Sequence, residues 1–173
     1  MRLTFCAVSL VLVLAACNRV TSPSERPRSP APSGVEQRTI AATHFFGEAP
    51  DKTKTFGPVN SIVGPGVELT GFGVTAFVNG QPLPGFIDID FSPTGILLTL
   101  TRDQSSGYFD SLRFENKTGT PGLFSDATLD PATTYAGFTT SRLHVDADRI
   151  DLNLTALRGL RSQRISLDVN LQR

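Results

Sequence analysis

Apolar and polar residues alternate in several separate stretches of the chain, and this alternation constrains the fold more than any other feature. In the clearest stretch, every second residue from Ile165 to Leu171 is aliphatic and the residues between them are polar. Four further stretches share the pattern: 87–91, 96–101, 143–146 and 150–155. Side chains alternate between the two faces of a β-strand, so each stretch predicts a strand that is apolar on one face only. Strands of this kind are typical of antiparallel sheets.

Turn signals separate the predicted strands and complete the prediction of fold class. Asn79-Gly80 is typical of a two-residue hairpin turn. Around Thr70-Gly71-Phe72-Gly73 the apolar phase slips, which predicts a β-bulge or a strand break. The only helical feature expected is a turn near Ala132. The sequence therefore predicts an all-β protein, an antiparallel two-sheet β-sandwich of jelly-roll-like type with a core of Phe, Leu, Ile and Val.

The amino-terminal residues differ in composition from this β-rich part. An apolar run from Leu3 to Ala16 follows Arg2, and it is shorter than the roughly 20 residues that a membrane-spanning helix needs. Such a segment is typical of a secretory signal. We therefore interpret residues 1–16 as a signal peptide, 17–34 as a tether and 35–173 as the β-sandwich domain. The tether is rich in Pro and Ser, which predicts a disordered, extended spacer.

The sequence Leu14-Ala15-Ala16-Cys17 resembles the lipobox of bacterial lipoproteins. In that family the cysteine receives a diacylglyceryl thioether, the preceding peptide is removed and the new amino terminus is acylated. The resemblance implies that Cys17 is lipidated and anchors the protein in a membrane, because two or more acyl chains give stable attachment. Asn18, rather than Asp, after the cysteine implies the outer membrane. Cleavage by ordinary signal peptidase, giving a soluble secreted protein, is the alternative, although Leu14 fits it poorly.

Composition excludes several other classes of protein. If Cys6 is removed with the signal peptide and Cys17 is alkylated, no thiol remains for a disulfide, a nucleophile or a zinc site. The chain has 16 Lys and Arg against 16 Asp and Glu. This balance provides no electrostatic attraction to nucleic acid, so no nucleic-acid partner is expected.

Five short segments, in this order, resemble the extracellular β-sandwich of bacterial proteins that carry a PEP-CTERM sorting tail. They are Gly64–Leu69 (GPGVEL), Ile87–Phe91 (IDIDF), Gly137–Leu143 (GFTTSRL), Asp146–Ile150 (DADRI) and Ile165–Val169 (ISLDV). The resemblance implies an exported, surface-associated protein linked to exopolysaccharide or biofilm, without assigned catalytic residues. The chain stops at Arg173 without the family's tail, so the lipid on Cys17 is expected to replace it as the anchor.

Acidic side chains on the polar strand faces are the best candidates for a site. Asp146, Asp148 and Asp151 form the tightest group, and calcium takes about six to eight oxygen ligands of the kind that clustered carboxylates supply. The wider set of polar-face acids and amides also includes Asp88, Asp90, Asn153 and Asp168. Two interpretations stay open: a calcium site at the three aspartates, or solvent-facing carboxylates that discourage pairing of strand edges.

No motif for catalysis is recognisable. The chain has no G-x-S-x-G elbow and no HExxH spacing, and we interpret His44 and His144 as surface strand residues. A pair of carboxylates could hydrolyse glycosides, but its geometry is not readable from sequence. Arg158, Arg161 and Arg164 share one connection, which is either a solvated hairpin loop or a contact for phosphate, lipid headgroups or acidic polysaccharide.

These observations predict a lipid-anchored protein of the bacterial envelope with a non-catalytic surface or binding module. Its role would be adhesion, envelope structure or contact with polysaccharide, and the ligand is not specified by the sequence. A calcium-dependent carbohydrate-binding or carbohydrate-active domain is the alternative. An accessory subunit of an envelope complex is a third hypothesis.

Overall fold

The computed structural model describes residues 38–47, 52–73, 77–78, 81–82, 85–105, 109–119 and 123–171. The predicted signal peptide, the predicted lipidation site Cys17 and the predicted tether lie outside the described residues, as do Asn79 and Gly80 of the predicted hairpin turn. The predictions made for residues 1–34 therefore stay predictions.

The described residues form fourteen strands and one short 3-10 turn, Thr140–Arg142. The strands are β1 (Thr39–Gly47), β2 (Thr53–Ile62), β3 (Val67–Phe72), β4 (Phe77–Val78), β5 (Gln81–Pro82), β6 (Ile87–Ser92), β7 (Gly95–Leu100), β8 (Gln104–Ser105), β9 (Phe109–Asn116), β10 (Phe124–Leu129), β11 (Leu143–Asp146), β12 (Arg149–Asn153), β13 (Arg158–Gly159) and β14 (Arg164–Leu171).

Ten of these strands form two five-stranded sheets. Sheet 1 has the order β11-β12-β9-β1-β2, and sheet 2 has the order β10-β14-β7-β6-β3. Every neighbouring pair in both sheets is antiparallel. The chain changes sheet repeatedly, for example between β2 and β3 and between β9 and β10. The predicted all-β antiparallel two-sheet sandwich is confirmed.

The core lies between the two sheets and is built from their apolar faces. In β6 and β7 the residues predicted to share a buried face, such as Ile89 and Leu98, are fully buried. Phe91 of sheet 2 meets Phe114 of sheet 1 edge to face, with ring centroids 5.5 Å apart. Aromatic pairs prefer this geometry, and each ring buries a large apolar area. The contact ties the two sheets together at the centre of the sandwich.

Turns and irregularities fall where the sequence predicts them. Gly71 and Gly73 have positive φ angles of 59° and 86°, and the pairing of β3 with β6 shifts register before Phe72. The phase slip at Thr70–Gly73 is thus a bulged strand end, as predicted. Strands β4 and β5 pair on either side of Asn79-Gly80, as a hairpin requires. The chain also turns at Ala132, whose N–H donates to Asp130 Oδ1 at 2.7 Å.

Strand β2 forms one edge of sheet 1 and carries an irregularity of its own. The register with β1 shifts between Ala42 and His44. Across this shift the β2 partners are Val59 and Phe56, so Gly57-Pro58 stands opposite a single residue of β1. Two residues facing one is the arrangement of a β-bulge. A proline in this place removes one backbone donor from the edge strand.

Candidate functional site

The outer face of sheet 1 arranges polar side chains in rows that cross several strands. In the central row, His144 lies opposite Asp151, Asp151 opposite Arg113, and Arg113 opposite Thr43. These positions alternate with core-facing residues such as Leu112, so the row faces away from the core. The two flanking rows contain Asn153, Ser111 and Phe45 on one side and Asp146, Arg149 and Glu115 on the other. The register of four strands thus brings distant residues of the chain together.

A groove of about 260 Å³ lies on this face, over β9, β11 and β12 and beside the 3-10 turn. Its polar lining includes Ser111, Arg113, His144, Asp151 and Asn153. The volume is just below that of pockets for small molecules, which begin at roughly 300 Å³. A groove of this size suits one unit of a longer ligand that continues across the surface.

Arg113 is a cation of the groove that two neighbouring side chains hold in place. Its Nε donates to Asp151 Oδ1 at 2.7 Å, and its guanidinium carbon lies 5.0 Å from the centre of the Phe45 ring. The carboxylate and the aromatic ring thus hold the planar group through two different contacts. The side chain nevertheless stays 33% exposed, so a ligand in the groove can reach it.

Two further side chains fix the walls of the groove. Arg142 Nη1 donates to the carbonyl oxygens of Thr155 at 2.9 Å and of Asn153 at 3.3 Å. These bonds attach the 3-10 turn to the end of β12. Asn153 Oδ1 accepts the backbone N–H of Thr155 at 2.9 Å, which leaves the amino group of the Asn153 side chain as a donor.

Two of the three aspartates of the predicted calcium site share Arg149 as a partner. Asp151 binds Arg113 and also lies 3.0 Å from Arg149 Nε. Asp146 lies 3.6 Å from Arg149 Nη2. Asp148 accepts the backbone N–H of Leu123 at 3.3 Å. Within the described ranges, no three His, Asp or Glu side chains are arranged to hold a metal ion.

Asp146 and Asp148 do share a second pocket of about 420 Å³, at the turn between β11 and β12. Glu115, Lys117 and Arg149 also line it. Asp151 does not line this pocket and belongs to the groove instead. The structure thus brings two of the three aspartates together, and calcium binding stays a prediction. Of the wider set, Asp88 accepts the backbone N–H of Gly71 at 2.8 Å.

The prediction that His44 is a surface residue was wrong. His44 is fully buried, because β1 is a central strand and its core-facing positions include residue 44. Its Nε2 donates to Asp110 Oδ1 at 2.9 Å, and Gln104 donates to the other carboxylate oxygen at 2.7 Å. A buried carboxylate needs such donors to offset its lost hydration. His144, by contrast, is exposed as predicted.

The phenol ring of Tyr135 lies near this buried carboxylate. Burial, reinforced by the negative charge of Asp110 and opposed by Arg142, raises the pKa of Tyr135 to about 12. The Tyr135 hydroxyl has no hydrogen-bond partner among the described residues. His44, Gln104, Asp110 and Tyr135 line neither the groove nor the second pocket. His44, Asp110 and Gln104 thus form a buried to half-buried polar cluster beside the Tyr135 ring.

Arg158, Arg161 and Arg164, which share one connection in the sequence, are all exposed. The backbone N–H of Arg161 donates to Asp103 at 2.7 Å. None of the three arginines lines the groove or the second pocket, and both interpretations of their connection stay predictions. Sequence reasoning singled out these arginines and missed Arg113. An arginine at an outward position between the core residues Leu112 and Phe114 gave no signal of its cross-strand partner.

No helix in the described part of the chain has the length and apolar character required to cross a membrane. Comparisons with protein families, with curated proteins and with solved structures found no match to this chain.

Proposed function

We propose that this chain is a lipid-anchored envelope protein, attached through Cys17, whose β-sandwich is a non-catalytic module that binds polysaccharide. The binding surface is the groove on the outer face of sheet 1. The observation that carries the proposal is the row of polar side chains held there by the register of β11, β12, β9 and β1. The anchor is supported by the lipobox-like sequence that ends at Cys17.

The chemistry of the groove suits a sugar. Sugar hydroxyls need both donors and acceptors, and the groove offers the Ser111 hydroxyl, the Asn153 amide, the Asp151 carboxylate and the Arg113 guanidinium. All four side chains belong to β9 and β12, and each of these strands is hydrogen-bonded to a neighbouring strand on both sides. Side chains placed in advance on a rigid sheet lose less entropy when a ligand binds. An open groove also accepts a chain that extends beyond the bound unit.

Binding can be tested with Asn153→Ala, which removes one donor from the groove. The matched control is Asn60→Ala, because Asn60 is also exposed and lies on β2, outside the groove. We expect the first variant to bind oligosaccharides several-fold more weakly in calorimetry and the second to bind as the unchanged protein does. Equal oligosaccharide binding by both variants would show that the groove is not the binding site.

The anchor can be tested by labelling growing bacteria with a palmitate analogue. The chain contains two cysteines, Cys6 and Cys17, and Cys6→Ser is therefore a matched control. We expect Cys17→Ser to lose the label and to leave the membrane fraction, whereas Cys6→Ser keeps both. If Cys17→Ser kept the label, the lipoprotein assignment would be wrong.

Calcium-dependent binding of carbohydrate is the second candidate function. It is favoured by the placement of Asp146 and Asp148 in one open pocket. Calorimetry with calcium alone distinguishes the two modes. Heat release and a rise in melting temperature, both abolished by Asp148→Asn, would support the calcium-dependent mode. Oligosaccharide binding that continues unchanged in a chelator would exclude it.

A further inference from the structure

We infer that the groove on sheet 1 recognises a carboxylate-bearing sugar, a uronate, and that Arg113 binds its carboxylate. This inference rests on the proposed function and deepens it, because it assigns the chemical class of the polysaccharide. Two features of the molecule support it: the unused hydrogen-bonding capacity of Arg113 and the distribution of charge along the sheet.

Arg113 presents a fixed and partly unused guanidinium group. Its bond to Asp151 uses Nε, and its two terminal NH2 groups have no hydrogen-bond partner among the described residues. Since Asp151 and the Phe45 ring already hold the plane in place, little entropy is lost when a further ligand binds. Two parallel N–H groups in one plane match the two oxygens of a carboxylate.

The charges along the face favour an anion in the groove rather than beside it. The groove is lined by the cations Arg113 and Arg142 and by one acid, Asp151. The neighbouring pocket at the turn between β11 and β12 has the opposite excess, because three acids line it with two cations: Glu115, Asp146, Asp148, Lys117 and Arg149. An anionic ligand is therefore attracted to one end of the strands and repelled from the other.

The same arrangement favours a carboxylate over a phosphate or sulfate group. Asp151 remains beside Arg113 and repels every additional negative charge, which disfavours a doubly charged phosphate monoester. A sulfate ester carries a single charge but is tetrahedral, whereas a carboxylate is planar, as the guanidinium is. The Ser111 hydroxyl and the Asn153 amide line the same groove and supply hydrogen bonds for the neutral hydroxyls of the sugar ring.

The test compares acidic and neutral forms of the same glycan. The probes are oligogalacturonate and oligomannuronate, each with its fully methyl-esterified form, measured by calorimetry on the purified full-length protein at low and at moderate salt. We expect the unchanged protein to bind at least one acid form at least about tenfold more tightly than its ester. We also expect salt to weaken binding of the acid but not of the ester.

Variants of Arg113 then locate the effect. Arg113→Gln removes the charge, and Arg113→Lys keeps the charge but loses the planar pair of donors. Both are expected to lose the preference for the acid form, while Arg158→Gln, which alters an exposed arginine outside the groove, keeps it. Circular dichroism checks that each variant is folded, and the comparison of acid with ester on the unchanged protein does not depend on any variant.

The outcomes separate this inference from the proposed function. Equal binding of acid and ester, or an unchanged preference in folded Arg113→Gln, would overturn the inference while the groove remains a sugar site. Failure of every acidic and neutral glycan to bind, together with failure of whole-envelope polysaccharide to bind, would overturn both. A sulfated or phosphorylated glycan that binds more tightly than both uronates would also overturn the choice of a carboxylate.

Discussion

Replacement of Tyr135 by phenylalanine is expected to stabilise the folded protein at neutral pH. The ring is 3% exposed and packs closely against Gly159, so phenylalanine keeps the shape that fills this space. The hydroxyl that it loses has no hydrogen-bond partner among the described residues. A buried polar group left unpaired costs roughly 1–3 kcal/mol, and we expect Tyr135→Phe to raise the free energy of unfolding by about 1 kcal/mol.

The same substitution is expected to remove a loss of stability in alkali. The pKa of Tyr135 rises from 10.0 to about 12 on folding. Below pH 10 the phenol is protonated in both the folded and the unfolded protein, so its ionisation does not change the free energy of unfolding. Between pH 10 and 12 the unfolded chain ionises and the folded protein does not, and stability falls as pH rises. At about 1.36 kcal/mol per pH unit, the total loss approaches roughly 3 kcal/mol.

Urea unfolding followed by circular dichroism measures this effect at several pH values from 8 to 12. We expect the difference in stability between Tyr135→Phe and the unchanged protein to grow steadily above pH 10. The chain contains only two tyrosines, so absorbance titration of Tyr108→Phe reports Tyr135 alone. A midpoint near 10 in the folded protein, or a stability difference that is independent of pH, would refute the reasoning.

Two further substitutions test packing and the buried polar cluster. A methyl group at Gly159 would overlap the Leu100 side chain, so Gly159→Ala should lower the free energy of unfolding by about 1–3 kcal/mol. Gly64→Ala is the control and should change it little, because nothing lies within 4 Å of the added methyl group. Equal urea midpoints for the two variants would contradict this packing. His44→Ala removes the donor to Oδ1 of the buried Asp110 carboxylate, while Gln104 still donates to Oδ2. It should cost roughly 1–3 kcal/mol, while exposed His144→Ala should cost less than ~0.5 kcal/mol. A loss below about 1 kcal/mol at His44 in thermal unfolding would show that the pair is dispensable.

Strands were predicted well from the sequence where one face of the strand is buried and the other face is exposed to solvent. β6, β7, β12 and β14 all have this character, and their alternation of apolar and polar residues is visible in the chain. The alternation did not reveal β1, although His44 was interpreted as a strand residue. The first half of β1 is buried on both faces: Ile40 through His44 are all buried, including the outward-facing Ala41 and Thr43. Small residues on the outer face of a central strand leave no alternating pattern to detect.

β9 was missed for a different reason. Its core-facing positions are Asp110, Leu112 and Phe114, and the acid at the first of them disrupts the apolar series. Asp110 can occupy the core only because His44 and Gln104 supply donors to it. Neither donor is close to it along β9, so the pattern of one strand cannot reveal the pair.

The candidate site was predictable only in part. Asp151 was identified as a site residue, but its contact with Arg113 joins positions 38 residues apart. That contact follows from the register of β12 on β9, which no local pattern specifies. Grouping aspartates by closeness in sequence therefore placed Asp151 with Asp146 and Asp148, whereas Asp151 lines the groove and the other two line the neighbouring pocket.

The bulge at Gly57-Pro58 affects how readily copies of the protein can associate through the edge strand β2. A flat outer strand of ten residues is a template on which identical molecules can assemble into fibres. The missing proline donor and the local twist interrupt that template near its middle, and Lys54 adds a charge to the same strand. The edge strand β2 is therefore a poor template for the addition of a strand from a second copy.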